Sequence, residues 1–230
     1  MLDKVNVPDG DRTRALGLST LAFTACFAVW TIFSIIGVEI KAELGLNEFE
    51  FGLLVATPIL TGSLTRLILG VWTEKYGGRL MFTAQMLLTA AATWMLTWAS
   101  SYTMYLIAAL GIGLAGGSFI IGVAYVSRWY DAGKQGTALG IFGAGNVGAA
   151  VTKFVAPFVM VSFGWHGVAH IWAAALALMA VAFYLLAKDD PALVARRVSG
   201  ARSPSLAEQF APLKNPVSYT HLTLPTIYSV

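Results

Sequence analysis

Along the 230-residue chain, long apolar runs alternate with short charged interruptions. The runs fall at residues 15–38, 51–72, 79–98, 104–127, 136–163 and 167–187. A bilayer core about 30 Å thick needs roughly 20 residues of helix at 1.5 Å each, so every run is long enough for one crossing. The pattern predicts an all-α membrane protein with six transmembrane helices over 15–187. Residues 1–14 read as a polar tail, 39–50 as a loop with four glutamates and Lys41, 99–103 as an uncharged turn, and 128–135 as a polar loop. Gly164-Trp165-His166 reads as a short turn, and 188–215 as a polar, basic, proline-punctuated linker. From Val217 the text VSYTHLTLPT has no compositional relation to what precedes it. It is similar to an in-frame translation of a sequencing-library adapter, so 216–230 is expected to be an assembly scar and the chain the front part of a longer protein.

Composition agrees with the pattern. At 57% hydrophobic and 12% charged residues, with a mean hydropathy of +0.70, too little polar surface exists to coat a soluble globule. The net charge of +3 raises the question of a nucleic-acid partner, and the placement of the cations answers it against one. Lys4, Arg12, Arg14, Lys75, Arg79, Arg128, Lys134, Lys188, Arg196, Arg197, Arg202 and Lys214 all fall on one side of the six-span topology. Lys41 stands alone on the other side, and Arg66 and Lys153 lie inside spans. Cytoplasmic loops carry the excess of Lys and Arg, so both ends of the chain are expected in the cytoplasm of an inner-membrane protein. The first apolar run is too long for a signal-peptide core and reads as an uncleaved span. The single cysteine, Cys26, lies mid-span and allows no internal disulfide.

The chemistry worth following is the pair of intramembrane cations. Arg66 sits eight residues before the charged loop at Glu74, about 12 Å into the membrane at the helical rise. That distance is long for a side chain to snorkel back to water, and buried ionisable groups by default mark pathways. Its guanidinium is a fixed fork of donors suited to a planar oxyanion. Asn146 lies at a similar depth in the fifth span. It has two readings, a donor to the same anion or an interhelical hydrogen bond. Lys153, two turns on along the same face, is nearer the outer surface, where snorkelling competes with a second anion contact. All twelve acidic residues fall in tails or loops, which argues against a cation carrier and for an anion. His166 and His170 read as interfacial. No metal-ligand cluster, nucleophile–base pair or cofactor motif stands out, so no cofactor and no enzymatic activity are expected. The glycines of the fourth and fifth spans include small-xxx-small spacings at 113/117 and 136/140, which let helices approach closely and could also expose backbone to a small substrate. Phe119 is by default a core or lipid-facing aromatic.

Four segments carry a family resemblance. Gly70-Val71-Trp72-Thr73-Glu74-Lys75-Tyr76-Gly77-Gly78-Arg79 resembles the loop between the second and third helices of the major facilitator superfamily. Thr65-Arg66-Leu67, Gly113-Leu114-Ala115-Gly116-Gly117-Ser118-Phe119 and the stretch from Gln135 to Gly148 together resemble its nitrate/nitrite porters. The resemblance covers about 15–187 and implies the N-terminal six-helix bundle of a transporter that works by alternating access. It implies that Arg66 grips the anion with a second arginine from the missing C-terminal half. It also implies that Phe119, Gly143 and Asn146 line the site, with Lys153 a further candidate. Glu74, Lys75 and Arg79 are then expected to lock the cytoplasmic side, with Gly70, Gly77 and Gly78 shaping the turn. Three departures stand out: Ser118 where the family often has Asn, Arg128-Trp129-Tyr130 in place of Phe-Phe-Pro, and a fifth-helix signature one residue shorter with Phe142 where Asn is frequent. The alternatives are a carrier of another small or organic anion, and a membrane sensor or scaffold that transports nothing.

Overall fold

The computed structural model describes residues 8–200, and within them all regular structure is helical. The expected scar and the rest of the linker lie outside the described residues.

The first crossing is built from α1 (Asp9–Trp30) and α2 (Phe33–Leu44), separated by a turn at Thr31 and Ile32. The second is α3 (Glu48–Tyr76) and the third α4 (Gly78–Met95), which tightens into a 3₁₀ turn at Leu96–Trp98. The fourth joins α5 (Tyr102–Gly113) to α6 (Ser118–Ser127) through a 3₁₀ segment, Leu114–Gly117. After α7 (Ala132–Gly143) and a 3₁₀ turn at Ala144–Asn146 comes α8 (Val147–Leu186). Five stretches are apolar and long enough to span a bilayer, the last being 55 residues from Ala132 to Leu186. At 1.5 Å per residue that stretch is about 80 Å long, far more than one membrane thickness. Gly164, at φ 66° and ψ 179°, leaves helical geometry and divides it, so the bundle has six crossings.

The helices overrun the apolar runs. The expected loop 39–50 is mostly helical: α2 continues to Leu44, Gly45 ends it at φ 63°, and Asn47 starts α3. The Asn47 side chain accepts from the Glu50 N–H at 2.9 Å while the Glu50 carboxylate accepts from the Asn47 N–H at 3.0 Å, a reciprocal cap that satisfies two free donors. Hydropathy marks where the membrane ends, whereas such caps mark where the helix ends. The stretch expected as a linker likewise contains α9 (Pro191–Ser199), with Asp190 as its cap and Pro191 in its first turn.

Glycines decide which crossings touch, and those of the fourth and fifth spans face several partners: a Cβ on Gly122 would lie 2.2 Å from the Phe142 ring, where these two spans meet. A Cβ on Gly113 would lie 2.5 Å from Thr61 Cβ, and one on Gly116 would lie 2.9 Å from Gly62 Cα, so the fourth crossing presses on α3. A Cβ on Gly148 would lie 2.1 Å from the Thr24 carbonyl oxygen, so α8 presses on α1. Gly136 and Gly140, in contrast, face open space. The α1–α8 seam is tied by Thr152, which donates to the Ala28 carbonyl at 2.6 Å and accepts from Trp172 Nε1 at 2.9 Å. Fully buried Phe82, Phe142, Phe183, Met86, Ile32 and Ile36 fill the spaces between.

Candidate functional site

Arg66 lies on α3, ten residues before its C-terminal end at Tyr76, and is half-buried. Its Nε donates to the Gly116 carbonyl oxygen at 3.2 Å. That carbonyl is available because Leu114–Gly117 is a 3₁₀ segment, where the regular i to i−4 ladder is interrupted. Close approach is possible because Gly62 and Gly116 have no side chains at the crossing. Among the described residues no carboxylate pairs with Arg66, and its two Nη groups make no hydrogen bond to protein. The head group is therefore held from one side and leaves its outer edge, the bidentate edge, free.

Beside the Gly62–Gly116 crossing, with Trp30 against both glycines, stands a run of aromatic rings. Phe119, 39% exposed, is the second residue of α6 and packs on Phe23 and Phe142 at centroid distances of 5.7 and 6.0 Å. Phe23 stacks on Phe142 at 4.8 Å and meets Phe27 edge-on at 5.4 Å, and Phe27 meets Trp30 at 5.1 Å. Trp30 then donates to the Pro58 carbonyl at 3.0 Å, closing the run against α3. Phe142 leads to Gly143, where a Cβ would meet nothing within 4 Å, and Asn146 donates to the Gly143 carbonyl at 2.7 Å. Asn146 is exposed, so one of its two donor hydrogens and its carbonyl oxygen remain available. Arg66, Phe119, Gly143 and Asn146 are thus linked through two 3₁₀ segments and the rings between them. Lys153 is exposed on α8 and makes no hydrogen bond or ion pair among the described residues, so none joins it to this group.

At the other end of α3 the charged loop is a clasp, built differently from the sequence expectation. Gly77 adopts φ 91°, and Leu193 of α9 fills the space where its Cβ would stand, with Cδ2 at 2.3 Å. A Cβ on Gly78 would lie 2.5 Å from Tyr125. A Cβ on Gly70 would sit more loosely, 3.5 Å from Ile120. Glu74 pairs with Arg128, which also holds Asp190 at 3.1 Å. The Asp190 side chain is fully buried and its other oxygen accepts from the Leu193 N–H at 2.9 Å, while Arg196 donates to the Glu74 carbonyl at 2.5 Å. Arg79 donates twice to the Tyr184 carbonyl, at 3.1 and 2.7 Å, and lies over the Tyr184 ring. This caps one of the free carbonyls at the end of α8. Lys75 is exposed and reaches only the face of Tyr76. Lys188 bonds Asp11 at 2.8 Å, and that hydrogen bond is the main cause holding the Asp11 carboxyl below its ordinary value, with the charges of Lys188 and Arg14 adding to it and burial opposing.

Arg128, Asp190 and Arg196 were invisible to sequence reasoning as a group, because 62 residues separate the first two. The rings of Phe23 and Phe142 were equally hidden, though Phe142 lies inside the fifth-span signature.

A sequence profile of the Major Facilitator Superfamily matches residues 18–230. Similar curated proteins include the "Probable nitrate/nitrite antiporter NarK1" of Thermus thermophilus, 43% identical over 181 residues. Others are the "Nitrite extrusion protein" of Bacillus subtilis, 34% identical over 166 residues, and the "Probable nitrate/nitrite transporter NarK2" of Mycobacterium tuberculosis, 34% identical over 179. These matches cover 74%, 72% and 76% of this chain and 41%, 42% and 45% of the relatives, so the chain spans under half the length of the proteins it matches. Among solved structures, a bacterial homologue of the human lysosomal transporter Spinster, inward-facing and unoccupied, aligns with a TM-score of 0.70 over 80% of this chain and 45% of that one, at 18% identity. Six crossings in this arrangement and a profile match over nearly the whole chain lead to one assignment: it is a multi-pass membrane protein that belongs to the Major Facilitator Superfamily.

Proposed function

We propose that this chain is the N-terminal six-helix half of a nitrate/nitrite carrier of the inner membrane, with both its ends in the cytoplasm. The observation that carries the proposal is Arg66. A guanidinium inside the membrane costs several kcal/mol unless it is solvated or paired, and this one is paired with no carboxylate among the described residues. A small planar monoanion meets the requirement: two of its oxygens can accept from the free Nη edge while its charge neutralises the cation. Phe119 walls the anion on one side, Asn146 offers an amide donor, and the absent Cβ of Gly143 leaves room. Lys153 is a more distant, weaker candidate. The curated relatives, described as nitrate and nitrite carriers, support this anion over larger ones.

The anion then sits near the midplane, between this bundle and a second one that supplies further contacts. Rocking of the two bundles exposes it to one side of the membrane and then to the other. The Glu74–Arg128–Asp190 clasp and the Arg79 cap keep the cytoplasmic ends of the second, third, fourth and sixth crossings together, so this bundle moves as one body.

The test is nitrate uptake by proteoliposomes. The chain alone is expected to transport nothing. Joined to the C-terminal half of the Thermus thermophilus relative, it is expected to take up nitrate and to lose that uptake in Arg66→Lys, which keeps the charge without the fork. Full uptake by the lysine variant would overturn the assignment.

A further inference from the structure

The 3₁₀ segment Leu114–Gly117 offers three successive carbonyl oxygens, and each accepts from a different side chain. Gln85 Nε2, on α4, donates to the Leu114 oxygen at 3.1 Å. Ser118 Oγ donates to the Ala115 oxygen at 2.6 Å. Arg66 Nε donates to the Gly116 oxygen at 3.2 Å. Gln85 is 2% exposed and Ser118 fully buried. Gln85 is itself held on both sides: its amide nitrogen reaches Thr89 Oγ1 at 3.4 Å and its oxygen accepts from Cys26 Sγ at 3.7 Å. Behind Thr89, the Thr93 hydroxyl donates to the Thr89 carbonyl at 2.8 Å, so every polar group of this face of α4 is engaged.

A glycine-bearing helix in an apolar crossing would regain its regular hydrogen bonds if it could, because free carbonyls away from water are costly. Here side-chain donors add to the first two carbonyls, the second of which also accepts from the Ser118 N–H in the 3₁₀ turn, and the third is thereby presented to α3. We propose that Gln85 and Ser118 are positioning residues for Arg66: they fix the 3₁₀ geometry that aims the Gly116 carbonyl at Nε, and so set which edge of the guanidinium faces the anion. For its consequence in transport this deepens the carrier reading above and rests on it. The geometric part does not. Neither residue touches the anion; both act through the backbone of the fourth crossing. The departure to Ser118 fits this role, since a serine hydroxyl reaches its own i−3 carbonyl where a longer side chain would project away.

The test uses the chain itself in lipid nanodiscs, with ¹⁵N-arginine. Hydrogen exchange is followed at the Arg66 Nε–H, with the Arg79 Nε–H, bonded to the Tyr184 carbonyl, as an internal reference for an intact bundle. Gln85→Met keeps the volume and removes the donor; Ser118→Ala removes the other pin with little change of size. Each is expected to speed Arg66 Nε–H exchange by about tenfold, the scale of one net hydrogen bond, and to leave Arg79 unchanged. Unchanged Arg66 exchange in both variants overturns the inference. So does equal acceleration at Arg66 and Arg79, which makes the two residues ordinary packing groups. Titration of potassium nitrate against potassium chloride separates the two layers. If Arg66 exchange responds to the variants while its resonance ignores nitrate in the unmodified chain joined to the C-terminal half of the Thermus thermophilus relative, positioning stands and the carrier reading falls. If nitrate shifts the resonance and the variants weaken that shift, both stand.

Discussion

Replacing Arg128 by methionine tests the clasp that joins α9 to the bundle. In the native arrangement the Arg128 side chain, 13% exposed, bridges a fully buried Asp190 and a Glu74 that is 42% exposed. The two limbs differ in weight. A partly exposed pair such as Arg128–Glu74 contributes about 0.2–1 kcal/mol. Removing one partner of a buried pair costs about 3–5 kcal/mol, because the remaining charge is left without compensation. Asp190 has an escape that a core residue lacks, since it stands at the start of a nine-residue helix that can lift into water. The loss therefore falls on the docking of α9 and leaves the six crossings folded, which places the effect near the lower limit, about 3 kcal/mol. At 1.4 kcal/mol per decade this is about a hundredfold rise in the population of undocked α9. Hydrogen exchange of a peptide spanning 190–199 reads that population directly while closing remains fast. Arg128→Met is expected to speed exchange there about a hundredfold, and Glu74→Gln by about fivefold at most. Exchange unchanged by Arg128→Met, or equal effects of the two variants, would refute the assignment of weight to the buried limb.

Two further perturbations follow from packing and pH. Gly148→Ala drives a Cβ to 2.1 Å from the Thr24 carbonyl and 2.8 Å from the Ala28 nitrogen, both backbone, and should destabilise the bundle by about 1–3 kcal/mol in a denaturant titration. Gly140→Ala, which meets no atom within 4 Å, should stay within about 0.5 kcal/mol in the same titration. The Asp11 carboxyl is lowered by its bond to Lys188, so the tie between the first helix and the end of the sixth is complete above the ordinary carboxylate value of about 3.9. It is lost as pH falls through the lower folded value. Exchange of residues 9–14 should therefore rise only on the acid side of that window, and Lys188→Gln should remove the dependence.

The sequence made the six crossings legible because the membrane imposes one strong requirement, about 20 apolar residues per crossing, and each run meets it. It made Arg66 legible for the same reason, as a charge where the medium penalises charge. Helix ends were less legible. Gly45 and the Asn47–Glu50 cap lie in a run of glutamates that hydropathy reads only as a loop. The glycine-rich signatures showed that helices would meet without showing which. Gly113 and Gly117 press on α3, Gly148 presses on α1, and Gly136 with Gly140 has the same spacing as the first pair, yet a Cβ on either would meet nothing within 4 Å. Spacing along one helix cannot specify the partner across the gap. Arg128 and Asp190 were unreadable as a pair for a related reason: each is unremarkable locally, and only the fold of α9 back onto the ends of the second and fourth crossings joins them. Gln85 stood in an apolar run as one polar residue, with nothing in its neighbours to mark the carbonyl it serves.

The central claim is that the free edge of the Arg66 guanidinium contacts a small oxyanion. Dipolar recoupling between ¹⁵N-nitrate and ¹³Cζ-arginine tests it most directly, with the chain joined to its second half in lipid. A short-range coupling that disappears in Arg66→Lys is the predicted result. A coupling that survives that substitution, or none in the unmodified protein at saturating nitrate, would contradict it.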